Sequence, residues 1–285
     1  MNILADIAMS LFQIAEIFGY AVENTTAAAR DGQERRWCPF RNTRCAKGSK
    51  SDPLGICSLT NGSNLAVVCP YRFLENSAIF REIGRIAFGP GTKIVAAPEV
   101  HILRVLRESR EHRVGKVDYL GAKLGENEEP LDFAALEVQA VYFSGDSLRP
   151  AFRHFMENTS LPSDSNRRPD WRSSAQKRLM PQLALKVPVF RRWGKKFFVA
   201  VDSNFYASLP PMGTVDSLTN SEITWVVYPF NRDNSQYTMG NPTIHYSTWD
   251  DVMTALREGI PPDPQEILAD IKVKARKRHL PVHTT

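Results

Sequence analysis

Residues 114–143 carry the side chains of this chain with the clearest chemical potential. Two stretches rich in β-branched and aromatic residues flank the polar segment GENEEP, and this pattern predicts a β-hairpin with a polar turn. With the turn centred in that segment, Asp118 on the first strand faces Glu137 on the second. The two-residue period of a strand places Gln139 on the same face as Glu137. The alternate positions are predicted to face the core: Leu136, Val138 and Ala140.

Two carboxylates about 5 Å apart repel each other unless a cation lies between them. Asp118, Glu137 and Gln139 are therefore predicted to form a catalytic cluster in which the two carboxylates hold Mg²⁺ and leave positions for water and a phosphate. Glu82 or Glu99 is a candidate for a further acid. The alternative is a pair of acids on a solvated strand face, in a chain with 31 Asp and Glu residues.

A second candidate site lies in residues 30–75, which contain all four cysteines: Cys38, Cys45, Cys57 and Cys69. The segment is rich in Gly, Ser, Asn and Asp and has few large apolar residues. Four thiolates around one tetrahedral metal ion would supply the stability that packing does not. The spacing lacks paired C-x-x-C motifs and does not choose between zinc and iron. The alternative is four reduced thiols buried in the main core.

The basic residues are unevenly distributed along the chain. The net charge is +5, yet ten Lys or Arg and a single acid lie between Arg167 and Lys196. Such a run beside Trp171 favours a polyanionic partner, with nucleic acid the leading candidate. The residues predicted to contact DNA are Arg167, Arg168, Arg172, Lys177 and Arg178. The alternative is a solvated linker with a packed tryptophan.

Length and composition indicate an ordinary globular protein. The 285 residues are 42% hydrophobic and 24% charged, and no apolar run is long enough to span a membrane. The first twenty residues are apolar but contain Asp6 and Glu16 and lack a basic start, so they predict an amphipathic helix rather than a signal peptide. The expected compartment is the cytoplasm, where thiols stay reduced.

The remaining elements follow from hydrophobic period and from turn residues. Helices are predicted for FREIGRIAF, HILRVLRESREHR, SGDSLRPAFRHFMEN, TWDDVMTALREG and DPQEILADIKVKARKR. Ser247 and Asp250 are predicted to cap the fourth of these helices. Strands are predicted for KIVAAPEV, for VPVFRRW and FFVAVDSNFY on either side of a Gly-Lys turn, and for EITWVVYPF.

Three features together resemble the NotI family of type II restriction endonucleases, within the PD-(D/E)xK nuclease superfamily. They are the segment WCPF…C…GICSL…VVCPYRF, the Asp118…Glu137-Val-Gln139 hairpin, and RPDWRSS…KRLMPQL ahead of the later strands. They extend from Cys38 to Tyr206. The resemblance implies an α/β fold with a restriction-endonuclease-like core, a mixed β-sheet flanked by helices, and a small N-terminal metal-binding domain with four cysteine ligands. The implied division is an N-terminal helix at 1–29, the four-cysteine domain at 30–75 and the nuclease core at 76–285.

The resemblance also implies the chemistry and the partners. The four cysteines would hold iron, or zinc, and Asp118 and Glu137 would hold Mg²⁺ for hydrolysis of a DNA phosphodiester. Gln139 occupies the position that carries Lys in most of the superfamily. A homodimer would cut both strands of double-stranded DNA at a palindromic, GC-rich site, which a cognate DNA methyltransferase of a restriction-modification system would also recognise.

Two other functions compete with this interpretation. One is a non-catalytic DNA-binding protein that is stapled by its metal and has structural hairpin acids. The other is a Cas4-like iron–sulfur nuclease, which also combines four cysteines with a carboxylate core. No motif following the core matches the latter.

Overall fold

The structure is a computed structural model that describes residues 11–49, 51–107, 110–162, 166–257, 259 and 261–278. Its strands are β1 (Gln13–Ile17), β2 (Tyr20–Ala21), β3 (Trp37–Cys38), β4 (Thr43–Arg44), β5 (Ile56–Thr60), β6 (Leu65–Val67), β7 (Ile94–Arg107), β8 (Arg110–Leu124), β9 (Pro130–Val138), β10 (Phe143–Gly145), β11 (Arg167–Pro169), β12 (Phe197–Asp202), β13 (Ile223–Tyr228), β14 (Phe230–Asp233), β15 (Gln236–Met239) and β16 (Thr243–Ser247).

The helices run between these strands. They are α1 (Ala27–Glu34), α2 (Ala78–Phe88), α3 (Leu148–Asn158), α4 (Met180–Arg192), α5 (Ser203–Ser208), α6 (Trp249–Arg257) and α7 (Pro264–Arg278). A kinked 3-10 segment, Pro70–Ser77, leads into α2. A short turn, Trp171–Ser173, and a π-helical stretch, Ser174–Leu179, lead into α4. Within the described residues, no helix combines the length and apolarity needed to cross a membrane.

A six-stranded mixed sheet forms the centre of the fold, in the order β16-β13-β12-β9-β8-β7. Strand β12 runs parallel to both β9 and β13, and the other neighbouring pairs are antiparallel. Every residue of β12 and β13 is buried, as expected for parallel strands that are covered on both faces. This confirms the α/β prediction of a mixed sheet flanked by helices, and the strand predictions over FFVAVD and EITWVVY. The last part of FFVAVDSNFY is corrected, because SNFY begins helix α5.

The two faces of the sheet are covered by different helices. One face packs against α4 and α6 through side chains such as Phe190 and Leu256, whereas Phe152 of α3 packs on Phe18 next to β1. The other packs against α2 and the 3-10 segment through Phe73 and Ile83. The predicted helices at α2, α3, α6 and α7 are confirmed.

The starts of two of these helices show how they are capped. Helix α3 begins after Ser147, whose side chain accepts a hydrogen bond from Arg149 N. The predicted cap of α6 is wrong by one residue, because Thr248 and Asp251 form the reciprocal pair there. A hydroxyl residue and an acid three positions later therefore cap the helix as predicted, but each lies one residue further along the chain.

The predicted N-terminal helix is wrong over the residues that the structure describes. Residues 1–10 lie outside them, and Gln13–Ile17 is strand β1 of a four-stranded sheet in the order β2-β1-β5-β6. Four of its five residues are buried, including Glu16. A strand that is buried on both faces has a continuous apolar run in its sequence. This pattern does not distinguish the strand from a buried helix segment.

Two further predictions are corrected. HILRVLRESREHR is not a helix, because residues 101–107 belong to β7 and residues 110–113 to β8, and the two strands pair with each other. VPVFRRW is not a strand but the second half of α4, which accommodates Pro188 within the helix. In both cases long-range packing decides the structure of a short apolar segment whose pattern fits either form.

A buried arginine connects the N-terminal sheet to the rest of the chain. Arg72 is fully buried and donates from Nε to both carboxylate oxygens of Glu16, at 3.0 Å each. Its other nitrogens bind the Glu75 carboxylate and, at 2.8 Å, the Tyr237 carbonyl oxygen. Glu16 also accepts from Ser58 Oγ at 2.6 Å. Separate parts of the chain are thereby held by one guanidinium.

We expect Arg72→Met to lower the free energy of unfolding by about 3–5 kcal/mol, because Glu16 is left buried without its cation. The measurement is urea denaturation followed by circular dichroism. Arg85→Met is the matched control: Arg85 is exposed and pairs with Glu82 on the same helix, and the expected loss is below about 1 kcal/mol. Equal losses in the two variants would contradict the structural role of Arg72.

Candidate active site and metal centre

The carboxylate hairpin has the predicted register. Strands β8 and β9 pair Tyr119 with Leu136 and Leu120 with Ala135, and the same register continued by one residue sets Asp118 opposite Glu137. The backbone N–H of Asp118 donates to Glu137 Oε1 at 3.2 Å, and the backbone N–H of Val138 donates to Asp118 Oδ2 at 2.9 Å. Each carboxylate is therefore oriented by the opposite strand.

The cluster lies under helix α4. It does not lie on a solvated strand face, which was the alternative interpretation of these polar residues. Glu137 is 2% exposed and Gln139 is 6% exposed. The predicted core positions Leu136, Val138 and Ala140 are also buried. Both faces of β9 are therefore covered, and Glu137 is placed among apolar groups, where an unpaired charge is costly.

Helix α4 supplies a cation to this site that the hairpin lacks. Lys186 is 5% exposed, and its Nζ lies 2.7 Å from Glu137 Oε1. Gln182, one turn earlier on α4, accepts from the same ammonium at 3.1 Å. Two acids and one base are thus gathered under α4, which leaves a net negative charge in the cluster.

The electrostatics of the cluster reflect this imbalance. Burial, and then the nearby charge of Asp118, raise the pKa of Glu137 to about 7, although Lys186 acts in the opposite direction. Burial also raises the pKa of Asp118, against the effect of the Val138 amide and of Lys186. A divalent cation beside both carboxylates would favour their ionised forms.

Gln139 follows the end of β9. Its backbone N–H donates to the Ala200 carbonyl at 2.9 Å, and its side-chain Nε2 donates to the Ala140 carbonyl at 2.6 Å. With the amide nitrogen held in this way, the side-chain oxygen is the atom left to accept a hydrogen bond. Gln139 itself carries no charge, so the only ammonium that the described residues place against Glu137 is that of Lys186.

Of the two candidate third acids, Glu99 lies at the site and Glu82 does not. The β7–β8 register, which pairs Pro98 with Tyr119, sets Glu99 opposite Asp118. Glu99 and Asp118 line one cavity of about 590 Å³. The Glu99 backbone has a φ of 56°, a conformation rare for non-glycine residues and frequent at functional sites. Glu82 instead pairs with Arg85 on α2.

The predicted DNA-binding residues separate into two groups. Arg167 is 5% exposed and donates to the main-chain oxygens of Asp146 and Ser147 at 3.1 and 2.9 Å, which makes it a structural link between β11 and the start of α3. The others are exposed and lie on β11 or on the turns leading into α4: Arg168, Arg172, Lys177 and Arg178. The segment ahead of α4 is therefore mostly helical rather than a linker.

Two of these exposed residues lie on a π-helical stretch, Ser174–Leu179, immediately ahead of the helix that carries Lys186. π-Helical turns are rare and are frequent at functional sites. Trp171 anchors the beginning of the segment, packing against Phe205 with ring centroids 6.3 Å apart. The guanidinium of Arg178 lies 3.3 Å from the ring centre of Tyr142.

The four cysteines are brought together in pairs by two hairpins. Cys38 lies on β3 and Cys45 directly follows its partner strand β4. Cys57 lies on β5, and the backbone N–H of Cys69 donates to the Cys57 carbonyl at 3.1 Å. All four are buried free thiols. This geometry gives each hairpin one pair of sulfur atoms.

The thiols are close enough to influence one another. Burial raises the pKa of Cys38 to about 11, and the neighbouring thiols of Cys69 and Cys45 add to the effect. Burial and Cys69 likewise raise the pKa of Cys57. Hydrogen bonds from the backbone N–H groups of residues 40 and 41 act in the opposite direction and favour a lower pKa of Cys38. Within the described residues, however, no group of three or more His, Cys, Asp or Glu side chains is arranged to hold a metal ion.

Sequence reasoning missed Lys186, although a signal for it was present. In QLALKVPVF it shares a helical face with Leu183 and Phe190, which lie three positions before and four positions after it and are both buried. A lysine in such a position is buried only when it has a partner. The misassignment of VPVFRRW as a strand concealed this helical period and with it the connection to Glu137.

We expect Asp118→Asn to raise the free energy of unfolding of the metal-free protein at pH 8 by about 1 kcal/mol. Glu137 has a folded pKa of about 7 against 4.5 in a model compound. Its contribution to stability is therefore present below pH 4.5 and is lost as pH rises through 7. Removing the negative charge of Asp118 reduces this loss of stability. The side-chain oxygen of the substituted asparagine still accepts a hydrogen bond from the backbone N–H of Val138. Urea denaturation in EDTA measures the change.

The matched control for this variant is Asp132→Asn on the same hairpin. There, burial acts to raise the pKa of Asp132, but hydrogen bonds from Lys195 and from the Phe133 amide outweigh it and lower the pKa. The carboxylate is thus favourable to folding, and its neutralisation should give no gain. A loss of stability in Asp118→Asn comparable with that of the control would show that the two site carboxylates do not repel.

Comparisons with known proteins identify the family of the chain. The profile of the family described as "Restriction endonuclease NotI" matches residues 16–241. The matched span includes the carboxylate hairpin, the four cysteines and Lys186. No curated protein matches the chain, and no solved structure matches it either. Because the profile covers most of the 285 residues, the chain belongs to the NotI family of restriction endonucleases.

Proposed function

We propose that this protein is a Mg²⁺-dependent type II restriction endonuclease that hydrolyses phosphodiester bonds in both strands of double-stranded DNA. The observation that carries the proposal is the carboxylate pair of Asp118 and Glu137, with an excess of negative charge that a divalent cation would neutralise. Asp118 and Glu99 line one cavity, and in this proposal a DNA phosphate would reach the bound cation through it. Family membership supports a nuclease that acts on DNA.

Asp118 and Glu137 hold the metal in this proposal. When bound, Mg²⁺ supplies Lewis-acid chemistry, polarising a phosphate oxygen and lowering the pKa of a coordinated water. Hydrogen bonds from the opposite strand keep the two carboxylates oriented. Gln139 contributes its amide oxygen, which is free to position the attacking water because its nitrogen is held by Ala140.

Lys186 takes over the cationic role for which Gln139 is unsuited. Its ammonium, 2.7 Å from Glu137, favours the ionised form of that carboxylate and, in this proposal, offers positive charge to the phosphate. Fixed positive charge in a water-poor site strongly stabilises a transition state in which negative charge develops. The lysine comes from helix α4 rather than from β9, so the hairpin motif and the cation are separated by 49 positions in the chain.

The basic segment ahead of α4 is proposed to contact DNA through the four exposed residues Arg168, Arg172, Lys177 and Arg178. We also propose a homodimer and a palindromic recognition site, because a two-fold protein matches a two-fold DNA site. Arginine bonds O6 and N7 of guanine, which suits a GC-rich site. A cognate methyltransferase would act on the same sequence.

We expect purified protein to cut unmethylated phage DNA into discrete fragments in the presence of Mg²⁺, and Glu137→Ala to give none. Lys186→Met should lower kcat by about 10²–10³-fold, the effect of removing one electrostatic contact from the transition state. DNA binding, measured by fluorescence anisotropy with Ca²⁺ in place of Mg²⁺, should change little. Circular dichroism establishes that each variant is folded.

Lys195→Met is the matched control, because Lys195 pairs with Asp132 outside the cluster and its removal should leave cleavage intact. If folded Lys186→Met protein cuts at the wild-type rate, Lys186 has only a structural role. If the wild type binds DNA without cutting it, the protein is a non-catalytic DNA-binding member of the family and the carboxylates are structural.

We further propose that Cys38, Cys45, Cys57 and Cys69 bind one structural iron or zinc ion. The donor set is four buried thiols that two hairpins bring together, with backbone N–H groups directed at the Cys38 sulfur. Thiolate donors suit either metal. Bound metal would link the two hairpins and release thiol protons that burial otherwise retains.

Carefully purified protein should contain about one metal ion per chain, as expected of a structural site with four cysteine ligands. Elemental analysis measures the content and identifies the metal. Cys57→Ser should lose the metal and the cooperative unfolding transition, since one ligand is missing from the site. Ser58→Ala, next to it on β5 but bonded to Glu16, is the control that should retain metal. Wild-type protein without metal would contradict the proposal.

A further inference from the structure

The β7–β8 hairpin extends well beyond the central sheet. Strand β8 pairs with β9 only from Tyr119 onward, whereas it pairs with β7 back to Arg110. Residues 99–107 and 110–117 therefore form a two-stranded ribbon, which we call the arm. Strand β7 is the last strand of the sheet, so the arm has no neighbouring strand on either side within the described residues.

A bend marks the base of the arm on both strands. Glu99 on β7 has a φ of 56° and Gly115 on β8 has a φ of 68°. A Cβ at Gly115 would lie 3.1 Å from the end of the Leu103 side chain, a tight contact that a shift of the leucine could relieve, so the glycine is needed chiefly for its backbone conformation. The bend redirects the ribbon where it leaves the sheet, next to the cavity at Asp118.

The charges of the arm conflict with its own stability. The register sets Arg104 directly opposite Arg113. Two positive charges at such positions destabilise a strand pair. Glu111 offsets Arg104 at 3.5 Å and Glu99 offsets Lys116 at 3.0 Å.

Two arginines of the arm have no ion-pair partner among the residues that the structure describes. Among the described residues, no carboxylate lies within ion-pair distance of Arg110 or Arg113, and both are exposed. By the alternation of a strand, these two side chains leave β8 on opposite faces. The arm is therefore positively charged on both sides.

From these observations we propose that the arm binds DNA in the major groove beside the cleavage site. This inference rests on the proposed function. A two-stranded β-ribbon fits the major groove, which is about 12 Å wide, and phosphates border such a ribbon on both sides. Arg110 and Arg113 then gain the counter-charge that the described residues do not provide. Leu106, 78% exposed, offers an apolar contact to thymine methyl groups.

The arm also sets an upper limit on a distance. Arg110 and Asp118 lie on the same strand, eight residues apart in sequence, which corresponds to at most about 26 Å at about 3.3 Å per residue, because the strand bends at Gly115 between them. That limit equals about 8 base pairs at about 3.4 Å each. The arm thus reaches DNA well outside the bases next to the scissile phosphate.

The test compares the wild type with Arg104→Ala/Arg110→Ala/Arg113→Ala on duplexes of about 10 and about 30 base pairs containing the mapped site. Binding is measured by anisotropy in Ca²⁺ and protection by hydroxyl-radical footprinting. We expect the variant to bind the long duplex about tenfold more weakly, with a smaller salt dependence, and the short duplex almost normally. The footprint should shrink at its outer ends, while kcat on the long duplex stays within about twofold of the wild type.

A variant that removes positive charge elsewhere, Lys272→Ala/Lys274→Ala on the exposed helix α7, controls for net charge and should keep the full footprint. An unchanged footprint and affinity in the arm variant would overturn the inference while wild-type cleavage upheld the proposed function. If sedimentation showed that Leu106→Glu separates a dimer with no effect on the footprint, the arm would be a protein interface instead. A wild type that binds no duplex at all would reject the proposed function itself.

Discussion

The contact between Lys186 and Glu137 is the interaction on which the site depends. It connects helix α4 to the middle of the central sheet, and it makes a buried carboxylate tolerable in apolar surroundings. One ammonium does not balance two carboxylates, however. Burial raises the pKa values of Glu137 and Asp118, the charge of Asp118 adds to the effect at Glu137, and a bound cation would relieve the repulsion between the two carboxylates. Sites that are destabilised in this way are typical of functional centres.

The segments around this contact keep it rigid, and two other segments carry proposed binding sites. Backbone N–H groups of β8 and β9 orient the carboxylates, and Gln182 restrains the ammonium from one turn away. The arm is a ribbon with two arginines that repel across it, and each of the two short cysteine hairpins carries two of the four buried thiols. DNA for the first and a metal ion for the second would each supply a stabilising interaction.

The local features of this protein could be predicted from its amino-acid sequence alone. Alternation and a polar turn defined the hairpin and set Asp118 opposite Glu137, because strand register follows from the position of the turn. The period of the apolar residues likewise identified α2 and α3. The clustering of the cysteines and the family motifs were also legible without a structure. Whether those cysteines close around a metal ion stays a prediction.

How distant segments combine depends on long-range packing and is seen only in the three-dimensional structure. That packing buried the acidic hairpin under α4 and brought Lys186 to Glu137 across 49 positions, which no local pattern encodes. It made β1 a strand and turned HILRVLRESREHR into two paired strands. Short apolar segments fit a helix or a strand about equally well. Their structure is chosen by the partners against which they pack, and those partners are far away in the sequence.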